Sequence, residues 1–379
     1  MTDRIRRAAA ILTVDLGAVV ANWIQLRDRV APGECAAVVK ADAYGLGVPQ
    51  VVPALRAAGC TTFAVVQLEE ALAVRAVAPD ERILMMGGLP AGSEADFLGH
   101  RILPVLNHLG EIAAWRAFAR TRGERLPAVI QIDTGMNRLG LGPDELAALA
   151  GRPDWLEGID VQYWMTHLAC ADDVESPMSA QQLGRFRTAL GRLPKAKASL
   201  ANSSGIFHGK AFHSDLARPG CALYGVNPTP HRANPMLGTV RLDARILQVR
   251  SVDSPMTVGY GAAHRVGGPG RIATIAVGYA DGYLRALGGR GHVHVDGVPA
   301  PIVGRISMDV ITVDVGGLPE GAVQPGGLVE LIGPNRPVDT VAAEAGTIGY
   351  EILTALGPRY HRIYLDPRPD PHCDPRAAQ

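Results

Sequence analysis

From about residue 35 to residue 225 the chain alternates short apolar runs with longer segments whose apolar residues recur every three or four positions. The runs are CAAVVK (35–40), TFAVV (62–66), ILMM (83–86), ILPVL (102–106), AVIQID (128–133), VQYWMTHL (161–168), ASLANS (198–203) and CALYG (221–225). Between them, VPQVVPALRAAG, LEEALAVRAVA, GEIAAWRAFARTRG, PDELAALAG and MSAQQLGRFRTALGRL carry the helical period. Strand alternating with helix implies parallel strands joined by crossover helices, and eight such strands predict an α/β fold, a closed (β/α)8 barrel of the TIM type. An open doubly wound sheet is the alternative.

Beyond about Pro235 the period changes. GTVRLDARILQVRSV, RIATIAVGYA, GHVHVDGVPAPIVGRISMDVITVDVGG and GGLVELIG read as strands broken at glycine and proline. The chain therefore divides into a barrel over residues 12–236 and a C-terminal β-rich domain over 237–379, with residues 1–11 joining the latter. The opening run AAAILTVDL precedes the first barrel helix, LGAVVANWIQLRDRV, and is placed to pair with the C-terminal strands. The tail DPRPDPHCDPRAAQ, rich in proline and charge, is expected to be poorly ordered.

Charge narrows the choice of partner. The 37 acidic and 37 basic residues balance, which removes the electrostatic footprint of a nucleic-acid binder or of a protein held on an anionic membrane. Cys35, Cys60, Cys170, Cys221 and Cys373 are odd in number and scattered, so neither a disulfide framework nor a zinc site is expected, and the chain reads as cytoplasmic. Asp15 interrupts the N-terminal apolar run, no convincing cleavage site follows, and no run is long enough to span a bilayer.

In a barrel, chemistry sits where strands end. Lys40 ends the first candidate strand, in a chain whose only other lysines are Lys195, Lys197 and Lys210. A desolvated lysine can lose its proton and become a nucleophile or base, which arginine cannot. On spacing alone a snorkelling lysine fits Lys40 equally well. Later strand ends supply Arg138 in DTGMNRLG, His167 in MTHLACADD, Asn202, Ser203 and Ser204 in ANSSG, and Arg218 and Gly220 in ARPGCALYG, while VGYGAAH of the β domain supplies Tyr260. Lysine, arginines, histidine, tyrosines and a small Ser/Gly set are what an aldehyde cofactor bearing a phosphate needs.

The motifs VVKADAYGLG, DTGMNRLG, THLACAD, ARPGCALYG, VGYG, GYADGY, GRISMD and GTIGYE, in this order over almost the whole length, resemble the alanine racemase family, pyridoxal 5'-phosphate enzymes of fold type III. The resemblance implies a homodimer that interconverts L- and D-alanine with one base on each face of Cα. Lys40 would hold the cofactor as a Schiff base and serve one enantiomer. Tyr260, from the other subunit, would serve the other. Tyr44, Ser203, Gly220, Cys221 and Tyr350 would surround the phosphate, Gly220 and Cys221 through backbone N–H. Arg218 would face the pyridine nitrogen, and His167, tied to Arg218, would support Tyr260. Arg138 would hold the cofactor phenolate and the substrate carboxylate, the latter shared with the backbone of Met308 from the other subunit. No metal is implied. A racemase of wider specificity acting on serine, a non-catalytic binding protein for the same cofactor, and a cofactor-free Schiff-base aldolase are the alternatives.

Two positions depart from the family pattern. Gln131 stands where many relatives carry a carbamylated lysine, so Arg138 must be oriented otherwise, by the Gln131 amide or a bound anion. Ser307 stands where a cysteine is frequent, which is expected to alter thiol sensitivity more than catalysis. His292 and His294 share a strand face but lack a third ligand and read as surface residues. Arg305, Asp172 and Tyr283 resemble residues of the family's substrate corridor and read equally well as solvated surface groups.

Overall fold

The computed structural model describes residues 3–366; Cys373 and the tail lie outside the described residues. In chain order the strands are β1 (Ala10–Asp15), β2 (Glu34–Cys35), β3 (Ala37–Val38), β4 (Thr62–Val65), β5 (Arg82–Met85), β6 (Ile102–Leu106), β7 (Leu126–Gln131), β8 (Ile159–Met165), β9 (Lys197–Ser199) and β10 (Leu216–Ala217). They continue with β11 (Val240–Val252), β12 (Thr257–Val258), β13 (His264–Arg265), β14 (Gly270–Ile275), β15 (His292–Val295), β16 (Val298–Pro301), β17 (Ile311–Asp314), β18 (Leu328–Ile332) and β19 (His361–Leu365). The helical segments are α1 (Asp3–Arg7), α2 (Leu16–Val30), α3 (Lys40–Tyr44), α4 (Val48–Ala57), α5 (Leu68–Val77), α6 (Glu94–Gly99), α7 (Leu109–Arg122), α8 (Pro143–Gly151), α9 (Met178–Leu190), α10 (Val338–Ala345) and α11 (Gly349–Ala355).

Strands β2 to β10 form one parallel sheet in the order β2-β10-β9-β8-β7-β6-β5-β4-β3. Its two ends are neighbours in the chain: β2 pairs with β10, β3 pairs with β4, and Ala36 between them bonds to Ala217 O at 2.9 Å. One split strand thus brings the sheet round on itself, the (β/α)8 architecture predicted from the alternation. CALYG is not its eighth strand. Cys221–Tyr224 forms a 3-10 turn, and the two-residue β10 upstream takes the strand position. A short apolar run carries no period of its own, so pattern could not separate the two.

Helix α2 shows why the crossover helices were readable. Asp15 caps it by accepting from Ala18 N at 2.9 Å, and Leu16, Val19, Trp23, Leu26 and Val30 bury the face the period marks. The buried Asn22 on that helix bonds Leu223 O at 3.2 Å and both backbone groups of Leu237, at 2.9 and 2.8 Å, fastening the end of the barrel segment to its first helix.

The second sheet runs β16-β15-β18-β11-β1-β19, with β14 joining β11 to β17. Strand β1 lies between β11, antiparallel, and β19, parallel, so residues from both ends of the chain share this sheet. Helices α10 and α11 were not foreseen among the C-terminal strands. His294 is also buried, at 8% exposure, and not the surface residue its alternating strand suggested. Its neighbour His292 pairs with Glu344 of α10 at 2.7 Å, so the unforeseen helix is what covers the strand face. Among the described residues no helix is long and apolar enough to cross a membrane, and no group of three or more His, Cys, Asp or Glu side chains is placed to hold a metal.

Candidate active site

The C-terminal ends of the barrel strands open into a cavity of about 630 Å³. Lys40, Tyr44, Gln131, Arg138, His167, Ser203, Arg218, Gly220, Cys221 and Tyr350 all line it. The parallel sheet brings the strand-end segments together here, and α11 of the C-terminal part adds Tyr350. Tyr260 and Met308 do not line it; they stand 72% and 53% exposed on the β domain.

Lys40 does not end a strand. It opens α3, two residues past β3, and Ala41, Asp42, Ala43 and Tyr44 follow with φ of 52°, 52°, 54° and 55°. This is one turn of left-handed helix made without glycine, at a cost of roughly 1–2 kcal/mol per residue. The surrounding structure over-determines it. Asp42 accepts from Val48 N at 2.7 Å, Tyr44 stacks on Tyr224 at 4.7 Å, and Glu70 of α5 accepts from Ala41 N at 2.6 Å. From the far end of the chain, Arg362 and Tyr364 of β19 bond Gly45 O and Leu46 O at 2.6 and 2.9 Å. Burial and the Arg138 cation lower the Lys40 amine from its ordinary pKa, against a weaker upward pull from Glu70.

Arg218 is fully buried, with its guanidinium donating to Ser199 Oγ and, at 2.7 Å, to Thr166 O. No carboxylate meets it among the described residues, and burial lowers it to about 10, leaving it a cation at neutral pH. A buried charge without a counter-charge is costly, which marks this wall as built for an electron-rich ligand atom. His167 is lowered to about 3 by burial and then by Arg218, Arg138 and Lys40, so its ring stays neutral. The link to Arg218 is electrostatic: no hydrogen bond joins the two side chains among the described residues.

Opposite, Ser203 Oγ accepts from Gly220 N at 2.9 Å and Ala222 N at 3.3 Å, folding the strand-end loop after Arg218 into a tight cradle. Gly220 has no room for a side chain, since a Cβ there would overlap Tyr44 Oη. Burial raises the hydroxyl pKa of both Tyr44 and Tyr350, so both remain proton donors. Hydroxyl donors and a side-chain-free backbone around one end, an unpaired guanidinium at the other and a desolvated amine between fit a phosphate-bearing aldehyde with a ring nitrogen.

Gln131 answers the orientation question in an indirect way. Its amide donates to Leu139 O at 2.9 Å, holding the backbone beside Arg138, whose guanidinium is exposed and makes no protein hydrogen bond among the described residues. Three supporting residues escaped sequence reasoning. Gln182 of α9 spans two strand-end loops, bonding Thr134 Oγ1 at 3.1 Å, His167 O at 2.9 Å and Ala169 N at 2.9 Å. Arg359 bridges Asp281 at 3.0 Å and Asp309 at 2.9 Å, tying the Met308 loop to the turn Tyr279–Asp281. Glu70, the third, was missed although a signal existed: Gln67 and Glu70 have capping-box spacing and form that box. Tyr283 proves to be a core residue, 3% exposed with its hydroxyl accepting from Arg336 Nη1 at 2.6 Å, whereas Asp172 and Arg305 are exposed.

A lysine of lowered pKa at the mouth of a (β/α)8 barrel, in one cavity with the Ser203–Gly220 cradle, suits the class of enzymes that work through a lysine-held carbonyl group. Residues 14–228 match the family described as alanine racemase, N-terminal domain, and residues 239–364 match alanine racemase, C-terminal domain. The chain belongs to the alanine racemase family, whose members are isomerases. It is 49% identical to an alanine racemase of Rhodospirillum rubrum over 94% of this chain and 96% of that one. A catabolic alanine racemase of Mesorhizobium japonicum is 48% identical over 94% of each chain. The crystal structure of alanine racemase from Bartonella henselae with covalently bound pyridoxal phosphate superposes with a TM-score of 0.92 at 44% identity, covering 94% of this chain and 100% of that one.

Proposed function

We propose that the protein interconverts L- and D-alanine with pyridoxal 5'-phosphate held by Lys40, as a homodimer of two-base active sites in the cytoplasm. The observation that carries this reading is the lowered Lys40 amine in a cavity that also offers the Ser203–Gly220–Tyr44 cradle and the carboxylate-free Arg218. Bound there, the cofactor supplies a sink for the electron pair left on Cα when its proton departs. The match of residues 239–364 to the family's C-terminal domain sets aside the single-domain binding protein and the cofactor-free aldolase.

The residues divide the work as follows. Tyr44, Ser203 and Tyr350 donate hydroxyl protons to the phosphate, with the backbone N–H of Cys221 and the side-chain-free approach at Gly220. Arg218 faces the ring nitrogen and keeps its own proton, because even lowered to about 10 it is a weak acid. Arg218 would therefore leave the ring nitrogen without a full proton and limit how strongly electrons are drawn from Cα. Arg138 holds the substrate carboxylate, and by its charge keeps the Lys40 amine free to take a proton from one face of Cα.

The other face needs a base that one chain does not place in the cavity. Tyr260 and Met308 stand exposed on the β domain, which suits their being presented to the cavity of a second copy of the chain. His167, held neutral, keeps one ring N–H that can donate to the Tyr260 phenolate and so favour loss of the tyrosine proton. Because the two enantiomers have equal energy, the same site serves D-alanine supply for peptidoglycan or alanine breakdown, as substrate supply dictates. The free thiols Cys35, Cys60, Cys170 and Cys221 suit a reducing compartment.

The test is exchange of the α-hydrogen with deuterated water, started separately from L- and D-alanine. Lys40→Ala is expected to abolish both directions, and Tyr260→Ala to damage abstraction from L-alanine preferentially. Equal losses for the two enantiomers in the tyrosine variant would sink the two-base assignment.

A further inference from the structure

We propose that Glu70 is a positioning residue for Lys40, fixing the left-handed turn that presents the amine and setting its charge balance from behind. The inference rests on the reading of Lys40 given under Proposed function. Glu70 sits in the first turn of α5, and its two carboxylate oxygens face different segments. Oε2 accepts from Val66 N at 2.9 Å and Gln67 N at 3.1 Å, the ordinary task of a capping-box glutamate. Oε1 does something a cap does not require: it accepts from Ala41 N at 2.6 Å, the amide that follows Lys40.

That amide belongs to the first residue of the left-handed turn, where Ala41 has φ 52°. No backbone carbonyl takes its hydrogen among the described residues. Without the carboxylate the amide would look for another acceptor, and the turn could relax toward the right-handed region that alanine prefers. Relaxation there would swing Lys40, one residue away. Glu70 thus joins the loop after β4 to the loop after β3 by a charge-assisted bond, one residue from the lysine that lines the cavity.

The second part of the role is electrostatic. The charged and titratable groups around Lys40 are Arg138, His167 and Arg218 across the cavity, Asp42 and Tyr44 on its own turn, Tyr350 from α11 and Glu70 from α5. Arg138 pushes the Lys40 pKa down and Glu70 pulls it up. Removing the Glu70 charge leaves the arginine unopposed, so the amine titrates at a lower pH.

The experiment compares cofactor-loaded Glu70→Ala, Glu70→Gln and, as a control, Glu69→Ala, whose side chain is exposed and makes no hydrogen bond among the described residues. Three quantities are read: kcat against KM for alanine, the acid limb of the pH profile of kcat, which reports the Lys40 amine once substrate has released it, and the rate at which hydroxylamine strips the visible cofactor band. In Glu70→Ala, kcat falls roughly ten- to hundredfold, as expected for a displaced reacting group, with KM little changed and stripping faster. Glu70→Gln recovers much of kcat because its amide oxygen still accepts from Ala41 N, yet its acid limb stays shifted to lower pH with that of the alanine variant. Glu69→Ala matches the parent in all three. If Glu70→Ala only lowers the melting temperature, leaving the acid limb and stripping rate at parental values, Glu70 is a helix cap and the proposal falls. A parent protein with no visible cofactor band would instead overturn the reading of Lys40 itself.

Discussion

Replacing Ala41 by glycine should leave the protein as stable as before or make it more so, against the usual sign for this substitution. In a right-handed helix the change from alanine to glycine costs about 1 kcal/mol, because the unfolded chain gains freedom that folding must remove. At φ 52° the folded state answers differently. A left-handed alanine carries roughly 1–2 kcal/mol of strain that glycine does not. Setting this against about 0.4–1 kcal/mol for the freer unfolded chain leaves a net change between zero and about 1.5 kcal/mol in favour of glycine. The Ala41 methyl is exposed, so little packing is lost, and the amide bond to Glu70 remains. Ala73, exposed in the middle of right-handed α5, is the matched control and should lose about 1 kcal/mol as glycine. Urea midpoints of the two variants, each loaded with cofactor to the same degree, read the difference. A loss in Ala41→Gly as large as that in Ala73→Gly would refute the left-handed assignment and the strain reasoning with it.

Gly220→Ala should weaken cofactor binding by at least roughly tenfold in equilibrium dialysis, since the new methyl overlaps Tyr44 Oη and lies 3.1 Å from Cζ, and the ring can move only by leaving its stack on Tyr224. Retained affinity would show that the cradle is not formed by that glycine. His167 predicts an acid-side loss of stability. Its folded pKa of about 3 lies below the ordinary 6.5, so under pH 6.5 the unfolded chain takes up a proton that the folded protein refuses, and stability falls as pH drops toward 3. His167→Gln should flatten that slope in urea titrations, and an unchanged slope would assign it to other groups. Gln131 has no amine to carbamylate, so the intact mass should show no carbon dioxide adduct at this position, with or without added bicarbonate.

Where the sequence was legible, a long period or a rigid chemical signal made it so. The span Leu16–Val30 could be read as a helix because an aspartate cap precedes five apolar residues at helical spacing. The strand-end residues Arg138, His167, Ser203 and Arg218 fell together because a parallel barrel gathers all such ends at one face. The left-handed turn was illegible for the opposite reason. Ala41, Asp42, Ala43 and Tyr44 contain no glycine or asparagine, and their conformation is imposed by Glu70, Tyr224 and β19, partners remote in sequence. Likewise CALYG has strand composition, but Ser203 bends its start by accepting from Gly220 N and Ala222 N. The helix Val338–Ala345 hid among glycine-rich strands, and with it the burial of His294. Met308 was named by resemblance alone, and Tyr260 owed its role to it, because residues that a single chain leaves exposed have no local period to mark them.

The bonds from Arg362 and Tyr364 to the loop behind Lys40 have a consequence for how the protein is made. They span 317 and 318 residues of sequence, so the ribosome completes the lysine loop long before it makes the side chains that hold it. At roughly 5–20 residues per second the interval is on the order of 16–60 seconds. Through that time the barrel strands can assemble on the nascent chain, but Lys40 lacks its last two restraints. The cofactor site is finished only as the closing strand leaves the exit tunnel, which ties readiness to react to the emergence of β19.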